Sequence, residues 1–166
     1  EIRAVIMNKL EMDVRDTVLL ANAESIAVEA SMVAYEGVVI AAERDAGSLR
    51  TMEENASKFG THNIEIIPEI TVEALEKLPT PRLAFIVAQK STIENDIVTL
   101  LKVNPKIKFI IYTLELDILA DIKYLMKKHG VDVTEVMQIA VSKVDKNGVF
   151  VAQPAPWMIT CEVKEK

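Results

Sequence analysis

The stretch 19–30, LLANAESIAVEA, passes from an apolar run ending at Leu20 through a few small or polar residues into a helical pattern from Ser25. In an α/β chain the first strand-to-helix turn is where a nucleotide-like ligand sits, held by backbone N–H groups at the helix start. Asn22, Glu24 and Ser25 are the polar side chains this turn offers, and it contains no glycine. Glu43 closes the second apolar run about twenty residues later, the spacing of a carboxylate that accepts hydrogen bonds from ribose hydroxyls. A solvated strand-end glutamate is the plainer alternative. Glu115 and Asp117 follow the fifth apolar run, where they suit a helix N-terminus and could line a pocket at the strand ends. His129, just before Gly130, reads as a helix-end residue capping carbonyls, and His62 as an exposed loop residue. With no Cys or His neighbour at ligand spacing, no metal site is expected. Cys161 reads as a small strand residue rather than a nucleophile. Trp157, near Pro154 and Pro156, reads as a packed strand residue, with stacking on a ligand or a neighbouring subunit as the alternative. No catalytic residue is picked out by type and spacing.

Composition limits what these residues can serve. The 166 residues, half of them hydrophobic, suit one domain over 1–166 with a sheet buried against helices. The apolar runs are far shorter than the roughly 20 residues of a membrane span. With 25 acidic against 19 basic residues, a net charge of −6 and no basic cluster, nucleic acid is disfavoured as a partner. The single cysteine and the absence of a charged-then-apolar lead in EIRAVIMNKL set a reducing, cytoplasmic setting as the expectation. A chain opening on Glu1 rather than Met is expected to be trimmed.

The elements that must position these residues alternate along the chain. Ile2, Val5, Ile6 and Leu10 predict a lead-in helix and Thr17 to Leu20 a first strand. A helix from about Ser25 to Tyr35 is expected to end at Gly37, and the wholly apolar Val38 to Ala42 reads as a strand buried on both faces. Ala46 to Phe59 is a helix with Leu49, Met52, Ala56 and Phe59 inward. Strand Asn63 to Ile67, short helix Val72 to Leu78 and strand Leu83 to Ala88 follow. Ser91 or Thr92 caps a helix to Leu101 or Val103. A fifth strand, Ile107 to Tyr112, precedes a helix from Glu115 to His129 with Ile118, Ile122, Leu125 and Met126 inward. Beyond Gly130, two long β-rich stretches, Val131 to Val144 and Val149 to Val163, are joined through Asn147-Gly148, a strong hairpin signal. Five parallel strands with crossover helices and a terminal antiparallel hairpin make an α/β chain of the seven-stranded, Rossmann-like methyltransferase fold.

The segments EIRAVIMNKL (1–10), SIAVEA (25–30), AAERD (41–45), MEENASKFGTHNIEII (52–67), EALEKLPTPRLAFI (73–86) and QPAPWMI (153–159) carry a more specific likeness. In collinear order over nearly the whole chain, they resemble the precorrin-6Y C5,15-methyltransferase (decarboxylating) family of cobalamin biosynthesis, in its carbon-15-methylating and decarboxylating domain. The resemblance implies S-adenosylmethionine (SAM) as cofactor, a tetrapyrrole as substrate and a homo-oligomer. It also assigns positions. The first turn of the family is glycine-rich, and here it is about two residues short, with Leu20 at an acidic position and Asn22, Ala23, Glu24 and Ser25 at the turn. Glu43 matches the ribose-binding acid. Glu69 and Ile70 stand where a Gly-Asp pair meets adenine, and Val87 and Ala88 where glycines floor the methyl site, with Lys90 adding a cation.

These replacements have physical costs. A turn without glycine reaches positive φ only with strain, and each added side chain takes ligand volume. Glu24 brings a carboxylate towards where the methionine carboxylate of SAM would lie, and Ile70 accepts no hydrogen bond from an adenine amino group. Two readings follow: SAM-dependent methyl transfer to a tetrapyrrole from an altered site, or an inactive, methyltransferase-like module for binding or oligomerisation, a pseudoenzyme.

Overall fold

The computed structural model describes residues 1–163. Five strands, β1 (Thr17–Ala21), β2 (Val38–Ala42), β3 (Ile64–Ile67), β4 (Leu83–Val87) and β5 (Lys108–Thr113), pair in parallel. Two more, β6 (Val131–Gln138) and β9 (Trp157–Val163), add antiparallel, and the sheet order is β3-β2-β1-β4-β5-β9-β6. The last strand in sequence thus inserts between the fifth and the sixth. The helices are α1 (Ile2–Leu10), α2 (Glu24–Val33), α3 (Ala46–Phe59), α4 (Val72–Leu75), α5 (Ile93–Val103) and α6 (Leu116–Lys128). This is the seven-stranded, mostly parallel α/β sheet that the sequence pattern predicts.

Because side chains alternate across a strand, the apolar runs supply two cores at once. Leu19, Ala21, Ile40, Ala84, Ile86, Phe109, Ile111 and Cys161 pack under α4, α5 and α6. Val18, Leu20, Val39, Ala41, Leu83, Phe85 and Ile110 pack under α1, α2 and α3. Gly37 is held by a different need from a helix end. A β-carbon there would collide with the carbonyl oxygen of Asp16, so the chain approaches itself too closely for any side chain. Gly60 does relieve a helix end, with φ 64° after Phe59.

Four further expectations change, the first at α5: Thr92 stands at its N-cap, yet its buried Oγ1 makes no hydrogen bond among the described residues and caps no backbone N–H. The terminal hairpin is not two continuous strands: β6 stops at Gln138, β9 starts at Trp157, and the tip is a separate ribbon of β7 (Ser142–Val144) and β8 (Phe150–Ala152). Pro154 and Pro156 lack the N–H a ladder needs, which breaks the pairing between them. Phe59 is 54% exposed rather than inward, and Met52 alone of that helix is fully buried. The last turn of α3 lies beside α2, where Phe59 lines an open hollow with Val28, Glu29 and Met32. The His129 ring does not cap carbonyls: its Nε2 lies 3.1 Å from Glu94 Oε1, and the carboxylate competes better for an imidazole.

Candidate functional site

β1 lies between β2 and β4, and the connections leaving β1 and β4 cross opposite faces of the sheet. Their carboxyl ends therefore flank the crevice where α/β sheets hold ligands. On the β1 side Asn22 takes φ 54°, a left-handed conformation that asparagine tolerates better than most residues. Its N–H donates to the Ala42 carbonyl at 2.9 Å, and its Nδ2 donates to the Val87 carbonyl at 3.2 Å, tying the turn to the end of β4. Asn22 Oδ1 is buried and has no donor. Glu24 and Ser25 open α2, whose N-cap Ala23 supplies no side-chain oxygen.

Asn22, Glu24, Ser25 and Val87 share one cavity of about 380 Å³ with Arg3, Phe85 and Tyr112, the rest of its wall coming from isoleucines of α1 and α2 and from Ala23. The Phe85 and Tyr112 rings stand 6.1 Å apart at 57°, and burial raises the Tyr112 phenol above its ordinary pKa. α1 therefore roofs this cavity, a contribution its amphipathic spacing gives no reason to expect.

The other candidate positions are not brought into that cavity. Glu43 is buried, 3% exposed, and its Oε1 accepts the Asp45 N–H at 2.9 Å. Asp45 in turn caps α3 by accepting the Ser48 N–H at 2.8 Å, and that backbone bond holds its carboxyl below the usual range. Glu69 is exposed and lines a separate 360 Å³ hollow with Arg44, Pro68, Thr71 and Ala74. Ile70, 1% exposed, and Ala88, 5% exposed, belong to the core under α4 and α5. Lys90 pairs with Asp117 at 2.7 Å over a 420 Å³ groove between α5 and α6. The hydrogen bond to Asp117 raises the lysine's pKa and lowers the aspartate's.

Two residues that the reading of the sequence passes over sit across the crevice. Arg44, next to Glu43, donates from Nη2 to Asp96 Oδ1 at 2.7 Å, with Nη1 3.4 Å from Oδ2. The Asp96 side chain is fully buried and that of Arg44 is 21% exposed. The pair ties the carboxyl end of β2 to the first turn of α5. A signal exists: Ile93, Asp96, Ile97 and Leu100 fall on one helix face, so Asp96 interrupts an apolar stripe and needs a cation.

Compared with known proteins, residues 1–163 match the sequence model of a family described as a precorrin methyltransferase domain. The chain belongs to that family. A precorrin-6Y C5,15-methyltransferase structure from Geobacter metallireducens is 25% identical, with a TM-score of 0.87 over 98% of this chain and 88% of that one. A precorrin 8w decarboxylase from Methanobacterium thermoautotrophicum, 20% identical, has the same fold with a TM-score of 0.79, over 98% of this chain and 89% of that one. So does a SAM-dependent O-methyltransferase from Thermotoga maritima, 15% identical, with a TM-score of 0.73 over 99% and 65%. No curated protein matches the chain.

The family is one of precorrin methyltransferases, and a SAM-dependent O-methyltransferase shares the fold. Of the positions that the resemblance assigns to SAM, Glu43 is buried and accepts one hydrogen bond on Oε1, and Ile70 faces the core, where it offers adenine no polar group.

Proposed function

We propose that this precorrin methyltransferase family member has given up SAM-dependent methyl transfer and keeps its fold as a binding and assembly module. The observation that carries this reading is the burial of Ile70, at the position the resemblance assigns to adenine, in the core under α4 and α5. The shortened, glycine-free turn and the engaged Glu43 support it. Homo-oligomerisation and a cytoplasmic setting belong to the same reading. The tip ribbon is the contact surface we assign, since Val144, Val149, Phe150 and Val151 are each more than half exposed on it. Nucleic acid is no part of it at a net charge of −6.

A second reading is favoured by one feature: the cavity holding Asn22, Glu24, Ser25 and Val87 lies at the ends of β1 and β4. In it the chain still methylates a tetrapyrrole, with SAM bound in an altered mode. Calorimetry with SAM and S-adenosylhomocysteine separates the two. No heat of binding at millimolar ligand is expected; micromolar binding that weakens in Glu43→Ala would overturn the first reading, and methyl transfer to a tetrapyrrole would then establish the second. Light scattering tests assembly, with an oligomer expected for the native chain and a monomer for Phe150→Asp; a monomeric native chain refutes it.

A further inference from the structure

We propose that the outer face of α6 is a second self-association surface, on which two copies of this chain pair their α6 helices antiparallel. It is separate from the tip ribbon and does not depend on the loss of methyl transfer.

The helix turns Ile118, Ile122 and Met126 into the core, so Leu116, Ala120 and Tyr124, at i, i+4 and i+8, share the opposite face. Leu116 is 77% exposed and Tyr124 76%; with Phe150 they are the most exposed large apolar side chains among the described residues. Ala120 between them is exposed and small, so a neighbouring helix can approach closely there.

Charge is sorted along the same face. Asp117 and Asp121 lie in its first half, Lys123 and Lys127 in its second, and all four are exposed. This arrangement does not serve the helix itself, because Asp117 with Asp121 and Lys123 with Lys127 are like-charge i, i+4 pairs, which disfavour a helix. The macrodipole favours Asp117 in the first turn and Lys127 in the last, but Asp121 and Lys123 lie in neither. Lys90 offsets the acidic pair by bonding Asp117 at 2.7 Å, whereas Asp121, Lys123 and Lys127 make no ion pair or hydrogen bond among the described residues.

A second copy supplies the missing charges. Reversing one helix against the other sets the acidic half of each beside the basic half of its partner, with Ala120 near the two-fold axis. A parallel pair would set acid beside acid and lysine beside lysine. The four charges sum to zero, so this face escapes the repulsion that a net charge of −6 imposes between copies elsewhere. Tyr124 and Leu125 also line a groove of about 420 Å³ between α5 and α6, which offers a partner side chain a seat. A helix of 13 residues is about 20 Å long, so the pair buries less than a standard interface of about 1,600 Å² and associates weakly.

Sedimentation velocity of the full chain carrying Phe150→Asp, which silences the ribbon contact, tests this from about 10 µM to about 1 mM. Monomer at the low end and dimer at the high end are expected, with a dissociation constant of roughly 100 µM. Lys123→Glu with Lys127→Glu, and separately Asp117→Lys with Asp121→Lys, should each weaken self-association about tenfold or more, and mixing the two variants should restore the dimer. Tyr124→Ser, at an exposed position and without change of charge, should weaken it too, and it remains decisive should a charge variant melt early. A monomer throughout the range would overturn the proposal and leave the face to another partner or to solvent. Charge variants that associate like their parent, or a mixture that stays monomeric, would overturn it as well. A native chain that is monomeric at about 10 µM refutes the ribbon contact alone, which keeps the two failures apart.

Discussion

Removing Arg44 should show how strongly its pair with Asp96 holds the end of β2 to α5. In Arg44→Ala the fully buried Asp96 carboxylate loses both guanidinium contacts and keeps no other charge partner among the described residues. Breaking a buried pair from one side costs about 3–5 kcal/mol, because a desolvated charge is left behind. The partial exposure of Arg44 lets water reach the vacated space and places the expectation at about 3 kcal/mol. For a chain of this length that corresponds to a fall in Tm of roughly 6–12 °C. Arg44→Met with Asp96→Leu removes both charges and replaces them with apolar volume, so the double variant should lie within about 1 kcal/mol of the native chain or above it. Urea denaturation followed by circular dichroism measures all the variants, and the double-mutant cycle isolates the coupling. A loss below about 1 kcal/mol in Arg44→Ala, or a double variant as unstable as the single, would refute the account of a buried pair tying β2 to α5.

Gly37→Ala should cost about 2 kcal/mol or more, because its new methyl meets the backbone of Asp16 and Arg15, which cannot swing away; Gly148→Ala, at φ 77° with open space around it, should cost only about 1 kcal/mol, and equal urea midpoints would contradict this. Asp16 takes Arg82 Nε and Nη2 at 2.7 Å each, and that hydrogen bonding holds its carboxyl below the usual aspartate value. A lowered folded-state pKa stabilises above the ordinary value near 4 and is lost as pH falls through the folded value. The native chain should thus exceed Asp16→Asn by about 1 kcal/mol at pH 7 and match it near pH 2, and a gap that persists at low pH would count against the pair. Burial pushes the Cys161 thiol up to about 12, so a disulfide reagent at pH 8 should label it only at the rate of unfolding; rapid labelling of the folded chain would show that β9 is open.

The sheet could be read in advance because its signal is repeated. Each strand places apolar residues on both faces, and Val38–Ala42 or Leu83–Val87 can satisfy two cores only as buried parallel strands. The ribbon beyond Gln138 escaped because its break depends on two prolines whose missing N–H groups matter only once the partner strand is placed. The site was half readable. Asn22, Glu24, Ser25 and Val87 converge because they follow adjacent strands, an arrangement that strand order alone dictates. Spacing marks Asp96 as an acid on an apolar face, but the inward turn of Glu43 and the identity of Arg44 as a partner 52 residues away depend on side-chain paths that spacing does not carry.

The strand ends show how such a crevice fills without disturbing the fold. A cleft kept for a nucleotide must expose acceptors and leave volume empty when the ligand is absent, and both weaken an unliganded chain. Ile70 adds apolar burial beneath α4, Glu43 turns inward to the Asp45 N–H, and Arg44 matches a buried Asp96 that would otherwise be a liability. None of these side chains lies in the middle of a strand, so none alters the alternation on which both cores rest. The first turn is the exception. Asn22 is held at positive φ with a donorless Oδ1, and Glu24 beside it has no partner among the described residues. Unrelieved polar groups persist where the surrounding structure fixes them and tend to gather at binding sites. The unrelieved polar groups of the crevice are therefore concentrated at Asn22 and Glu24, where β1 passes into α2.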